Sequence, residues 1–111
     1  MTTLSTHVLD TGLGRPAAGI PVTLEHAGKV LGSGVTDADG RVGDLHPRSA
    51  SLAEGEYRLT FAVGNYFARG GSAGESFYRE IVIQFRIGAG TEHYHVPLLL
   101  GRFGYTTYRG S

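Results

Sequence analysis

Hydrophobic and polar residues alternate with a period of two along most of the chain. The run from Ile81 to Ile87 is the clearest example, with apolar side chains at every second position. Alternation of this kind predicts a β-strand with one buried face and one polar face. The same period predicts further strands around positions 4–9, 22–25, 30–31, 57–63, 94–100 and 105–108.

Glycines separate these apolar runs. The 18 glycines are scattered along the 111 residues, which is typical of turns and not of a flexible linker. Seven or eight short strands joined by glycine turns predict an all-β sandwich, and we expect one domain over residues 1–111. The polar, glycine-rich stretch 65–76 is expected to be a long connection with a short helical turn.

The parity of two strands predicts an apolar outer surface. If Thr6 and Val96 face the core, then His7, His95 and Pro97 face outward, because alternate side chains of a strand point to opposite faces. Two histidines would therefore share the outer face with Leu9 and other apolar groups. An antiparallel sheet with an apolar outer face usually has a partner, so we expect a homo-oligomer.

Composition narrows the classes of partner. The net charge is zero and the pI is near 7, which argues against nucleic acid and against an anionic membrane surface. The chain has no cysteine, so disulfides and cysteine nucleophiles are not expected. No apolar run approaches the length of a membrane span, and the first residues do not resemble a secretory signal. A cytoplasmic protein is the resulting expectation.

The segment His93-Tyr94-His95 places two imidazoles on one face of a strand. A His-X-His pair is one way to hold zinc, but no carboxylate or cysteine stands at a fitting position, so no metal is expected. Pro97 in the same strand predicts either an edge strand or a solvent-facing interruption of the ladder.

Asp39-Gly40 predicts a tight turn, and we expect a hairpin around it. Arg41 follows the turn directly, where it is either a solvated side chain or a cation of a site. The polar chain end Tyr108-Arg109-Gly110-Ser111 follows a strand and is expected to form one wall of a binding site.

Several motifs together resemble the 5-hydroxyisourate hydrolases, the transthyretin-related proteins of purine degradation. The terminal motifs are the specific ones, namely Leu4–Thr11 with Gly14–Ala17, His93–Leu100 and Gly104–Ser111. Thr36–Arg41 is similar to a second family motif, and Tyr57–Phe61 and Phe77–Phe85 fit its middle strands. The turn Gly101–Phe103, the Gly-rich loop over 64–76 and Arg79 depart from the family pattern.

The resemblance implies a transthyretin-like β-sandwich of two four-stranded sheets with one short helix. It implies a homotetramer, a dimer of dimers, with active sites at the dimer–dimer interface. Its catalytic residues would be His7, Arg41 and His95. The residues it assigns to substrate binding are Pro97, Tyr108, Arg109, Gly110 and Ser111.

The implied reaction is hydrolysis of a lactam C–N bond in 5-hydroxyisourate, a small purine-derived molecule. The product would be 2-oxo-4-hydroxy-4-carboxy-5-ureidoimidazoline, on the route from urate to allantoin, and no cofactor is required. Arg41 near His7 would keep an imidazole neutral, while either histidine remains open as the general base. The alternatives are a transthyretin-like carrier of a small ligand without catalysis and a non-catalytic sandwich module.

Overall fold

Two sheets packed face to face make up the structure, a computed structural model that describes residues 1–43, 45–46, 51–69 and 77–110. Within these residues the elements are β1 (Thr3–Asp10), β2 (Arg15–Pro16), β3 (Pro21–His26), β4 (Lys29–Val35), β5 (Gly55–Ala62), α1 (Gly64–Arg69), β6 (Glu80–Ile87), β7 (His93–Leu100) and β8 (Tyr105–Thr107). The sheet orders are β2-β1-β7-β8 and β4-β3-β5-β6. The predicted sandwich of two four-stranded sheets with one short helix is confirmed.

The core fills the space between the inner faces of the two sheets. Tyr57, Phe61 and Leu59 from β5 are essentially inaccessible to solvent, as are Val8 of β1 and Leu98 of β7. Removal of this apolar surface from water is the main favourable term in folding. Every second residue of β1 is buried and the others are half-buried, so the parity predicted for this strand is confirmed.

The only parallel pair among the described strands joins β1 to β7, which lie far apart in the sequence. Its register sets Ser5 opposite His95 and His7 opposite Pro97. These four residues lie on the outer face of their sheet, because the intervening Thr6 and Val96 are buried in the core. The pairing therefore brings the two ends of the chain to one surface.

Pro97 interrupts a ladder but does not lie on an edge strand. β7 lies between β1 and β8, so the prediction of an edge is wrong. The ladder is interrupted, but Pro97 is buried and does not face solvent as predicted. The ladder with β8 stops at Leu98, opposite Thr107, and pairing resumes as an isolated bridge between His95 and Gly110. Proline has no N–H to donate, which accounts for the gap.

The turn after β4 is formed as predicted, but it does not lead into a hairpin. Oδ1 of Asp37 accepts hydrogen bonds from the N–H of Asp39 (2.9 Å) and of Arg41 (3.1 Å). The N–H of Val8 in the other sheet then donates to the carbonyl of Gly40 (2.8 Å). Arg41 forms a bridge to His7 of β1, and Val42 and Leu45 then pass over Gly34 and Gly32 of β4 without pairing with that strand. The expected hairpin is therefore wrong.

The predicted helical turn is α1, which begins at Gly64. The remainder of that predicted connection, residues 70–76, lies outside the described residues. No helix in the described part of the chain is long and apolar enough to cross a membrane.

Candidate active site

The predicted catalytic residues meet on the outer face of the sheet that contains β1 and β7. His7 belongs to β1 and His95 to β7, and Arg41 joins them through an isolated antiparallel bridge to His7. The two histidines are half-buried and Arg41 is exposed. Three residues from distant parts of the sequence therefore form one polar cluster.

His95 is held from two sides. Its Nδ1 lies 2.7 Å from Oγ of Ser5 on β1. Its backbone carbonyl accepts a hydrogen bond from the N–H of Gly110 (2.8 Å). The ring lies against Gly110, where a Cβ would be 2.6 Å from the ring Cδ2. Position 110 therefore requires glycine if this ring is to keep its place.

The electrostatic environment of His95 favours a neutral imidazole. Partial burial lowers the pKa of His95 below its ordinary value of 6.5, and the positive charges of Arg41, His7 and His93 lower that pKa further. Each effect disfavours the imidazolium form. The sequence predicted that Arg41 keeps an imidazole neutral, and the structure places this effect on His95.

Gly40 allows Arg41 to reach the site. The residue has a φ of 76°, a conformation that side chains disfavour, and a Cβ there would collide with the carbonyl of Val8. Only a glycine permits such close contact between the turn and β1. The sequence identified Gly40 as a turn residue, but its contact with β1 became apparent only from the fold.

The chain end contributes residues to both faces of the sheet. Gly110 lies on the outer face beside His95, whereas Arg109 points to the inner face. Nη2 of Arg109 lies 2.8 Å from Oε1 of Glu92, and Cζ lies 4.6 Å from the centre of the Tyr94 ring. The structure therefore does not bring Arg109 to the histidines.

Tyr108 is exposed at the rim of the sandwich. With Arg109 it lines a cavity of about 240 Å³ between β6 and β8, together with Ile83, Phe85, Arg86, Tyr94, Val96 and Thr107. Pro97 is buried beside His7. Ser111 lies outside the described residues, and its predicted contact with substrate stays a prediction.

Ser5 was not predicted as a site residue. Its Oγ lies between His95 Nδ1 (2.7 Å) and His93 Nε2 (2.9 Å), and Nδ1 of His93 lies 2.6 Å from Oγ1 of Thr3. Once β1 and β7 are paired in parallel, their parity places all four residues on one face.

No group of three or more His, Asp or Glu side chains in the described ranges is arranged to hold a metal ion.

Hydrolysis of an amide is chemistry that this cluster can perform. A neutral imidazole can take a proton from water, and a planar guanidinium can bind the oxygen that gains negative charge. In a single chain the cluster lies on an open sheet face. A second surface over this face would be needed to exclude bulk water.

Comparisons with known proteins agree with this chemistry. Residues 4–110 match the model of the HIUase/Transthyretin family. A 5-hydroxyisourate hydrolase of Salmonella dublin is 46% identical, over 97% of this chain and 80% of its own length. The structure of Klebsiella pneumoniae 5-hydroxyisourate hydrolase superposes with a TM-score of 0.87 at 43% identity, with complete coverage of both chains. The Sparus aurata transthyretin structure superposes with a TM-score of 0.83 at 29% identity, over 96% of this chain and 95% of its own.

Proposed function

The chain belongs to the HIUase/Transthyretin family, and we propose that it hydrolyses 5-hydroxyisourate on the outer face of β1 and β7. The activity itself, a step of urate degradation, follows from relatives of that name at 40–46% identity over nearly the full chain. The site is our inference from the geometry. The observation that carries it is the convergence of His7, Arg41 and His95 on one surface.

We assign His95 as the general base for the attacking water. The lowered pKa leaves its imidazole neutral near pH 7, and Ser5 holds Nδ1 so that Nε2 is available to the pocket. The water oxygen attacks the lactam carbonyl while Nε2 takes its proton. General acid–base catalysis of this kind contributes about 10²–10⁴-fold to a rate.

Arg41 is assigned to the carbonyl oxygen, which becomes negative in the tetrahedral intermediate. The turn fixes the backbone of Arg41, and a guanidinium can present two parallel N–H donors to this oxygen. His7 lies beside it and is placed to donate a proton to the leaving nitrogen. The C–N bond then breaks, the ring opens, and the carbonyl carbon becomes a carboxylate.

The remaining predicted contacts complete a pocket that needs a second subunit. Pro97, Tyr108, Gly110 and Ser111 are proposed to line the substrate site, while Arg109 holds the chain end in place. We propose a homotetramer, a dimer of dimers, in which the outer sheet faces of two subunits cover each other. The half-buried Leu9 and Leu99 on that face support this assembly.

The single domain and the cytoplasmic location stay predictions of the sequence.

A turnover assay tests the function and the site separately. The purified protein is added to enzymatically generated 5-hydroxyisourate, whose decay is followed by its ultraviolet absorbance. We expect acceleration by the wild type and a loss of at least about 100-fold in His7→Ala and in His95→Ala. His26→Ala, in the other sheet, is the matched control. Decay at the spontaneous rate with wild type would refute the function, and full activity of both site variants would refute only the site.

A carrier function is the alternative, since the transthyretin structure shares the fold. Binding of a small ligand without turnover would support it.

Sedimentation velocity tests the assembly, because a monomer with full activity would exclude a site shared between subunits.

A further inference from the structure

Four side chains on the outer face form one continuous row of hydrogen bonds. Nδ1 of His95 lies 2.7 Å from Oγ of Ser5, and the same oxygen lies 2.9 Å from Nε2 of His93. Nδ1 of His93 lies 2.6 Å from Oγ1 of Thr3. The row leads from the half-buried His95 to the exposed His93.

We propose that Ser5 is a positioning residue that relays a proton between His95 and His93 during hydrolysis. The inference rests on the proposed function, in which His95 is the base. It adds two residues, Ser5 and His93, to which that mechanism assigned no step.

A row in which each group donates to the next, as a relay requires, permits two arrangements. In the first, His95 donates from Nδ1 to Ser5, Ser5 donates to Nε2 of His93, and His93 donates from Nδ1 to Thr3. In the second, every donor and acceptor is reversed, and His95 carries its proton on Nε2. A hydroxyl can donate one hydrogen bond and accept two, so Ser5 satisfies both arrangements. The first makes His95 a base toward the pocket, and the second makes it an acid.

Transfer along the row, starting from the first arrangement, balances in protons. As Nε2 of His95 takes a proton from water, its Nδ1 proton passes to Oγ of Ser5. The hydroxyl proton of Ser5 passes to Nε2 of His93, which becomes an imidazolium that still donates to Thr3. The reverse transfers carry a proton from Nε2 of His93 through Ser5 to Nδ1 of His95. Nε2 of His95 then releases the proton that it took from water, which restores the proton that His7 gives to the leaving nitrogen.

The charges around the row favour this direction of transfer. The charged or titratable groups that act on His95 are Arg41 from the turn, His7 from β1 and His93 from its own strand, and Gly110 of the chain end is uncharged. A positive charge held on His95 lies close to Arg41, whereas His93 is exposed to solvent. Transfer along the row moves the positive charge away from the guanidinium and toward the more exposed end of the row.

The relay predicts which tautomers the two histidines adopt in the free protein. Both arrangements give His93 and His95 the same tautomer, either Nδ1–H in both or Nε2–H in both. Nitrogen-15 NMR of the imidazoles at pH 8 distinguishes the two tautomers without any substrate. Opposite tautomers on His93 and His95 would overturn the proposal, even if the enzyme is active.

Kinetics of matched variants supply the second readout. Ser5→Ala is expected to lower kcat by about 10- to 100-fold with little change in KM, and Ser5→Thr, which keeps the hydroxyl, to recover most of the rate. Ser33→Ala, at an exposed position of β4, is the control and should match wild type. The dependence of kcat on the fraction of D₂O in mixtures with H₂O provides a further measurement. For wild type it should indicate that more than one proton moves during the reaction, and for Ser5→Ala that only one does.

The outcomes separate the relay from the function on which it rests. Unchanged kcat in Ser5→Ala, or the same one-proton response in wild type, would overturn the relay while leaving the hydrolase intact. A wild type without turnover refutes the proposed function, and the tautomer measurement still decides whether the row is coupled as described.

Discussion

Gly110 lies against the imidazole of His95 so closely that a Cβ would be 2.6 Å from the ring Cδ2. Gly110→Ala must therefore move the ring and strain its 2.7 Å contact with Ser5. We expect kcat/KM to fall by about 10- to 100-fold, as small misplacements of reacting groups can do, with little change in melting temperature.

Gly104→Ala is the control for this substitution. A Cβ at position 104 meets no atom of the described residues within 4 Å. Position 104 lies in the same part of the chain as position 110. It should retain wild-type kcat/KM. Equal activity of the two variants would show that the chain end does not hold His95.

The contact between Gly40 and β1 gives a second prediction. A Cβ at position 40 collides with the carbonyl of Val8, in addition to the strain of a left-handed conformation. Gly40→Ala should displace the turn that carries Arg41 and reduce kcat/KM by at least about 10-fold. Gly14, at a φ of 71°, has no described atom within 4 Å of such a Cβ. Gly14→Ala should lose about 1–2 kcal/mol of stability from the same strain but keep its activity.

The lowered pKa of His95 predicts the pH dependence of both activity and stability. Because the neutral form is the base, kcat/KM should be retained below pH 6.5 and fall only at the lowered pKa. As the pH falls, His95 binds a proton at a higher pH in the unfolded state than in the folded state. Its contribution to stability is therefore complete above pH 6.5 and is lost as the pH falls through the lowered pKa of the folded state. Proton NMR titration of His95 measures the value. In Arg41→Gln the pKa of His95 should rise, because one neighbouring positive charge is removed.

Tyr66 and Asp10 form a hydrogen bond that connects α1 to the end of β1. Oη of Tyr66 donates to Oδ2 of Asp10 at 2.6 Å, and Asp10 is only 4% exposed. Tyr66→Phe leaves a buried carboxylate oxygen without this donor and should cost about 1–3 kcal/mol in urea unfolding. The control is Tyr105→Phe, because the hydroxyl of Tyr105 has no hydrogen bond to a described residue.

The same hydrogen bond predicts an alkaline effect. Burial and the neighbouring Asp10 raise the pKa of Tyr66 to about 12, against an ordinary value of 10.0. The unfolded state therefore releases this proton first, and stability should fall as the pH rises above 10 toward the folded value. Tyr66→Phe should lack this part of the loss. An unfolding curve with the same alkaline slope in both proteins would contradict the assignment.

The sequence predicted the sandwich because alternation in strands such as β6 is a local property. It did not predict the role of Ser5, which depends on a contact with His95 across 90 positions of the chain. The resemblance supplied His7, Arg41 and His95, but not the reason that Gly40 must be glycine. The orientation of Arg109 could not be predicted either, because Pro97 interrupts the ladder and leaves the parity of the chain end unspecified.

The ion pair between Arg109 and Glu92 provides a test between two roles for this arginine. If Arg109 holds the chain end, then Arg109→Gln and Glu92→Gln should raise KM by similar factors. The double variant should then equal Arg109→Gln, since that change removes the ion pair together with the contact of Arg109 with the Tyr94 ring. Both side chains are about half exposed, so each change should cost less than about 1 kcal/mol of stability. If Arg109 instead binds substrate, only Arg109→Gln will raise KM, and Glu92→Gln will behave as wild type.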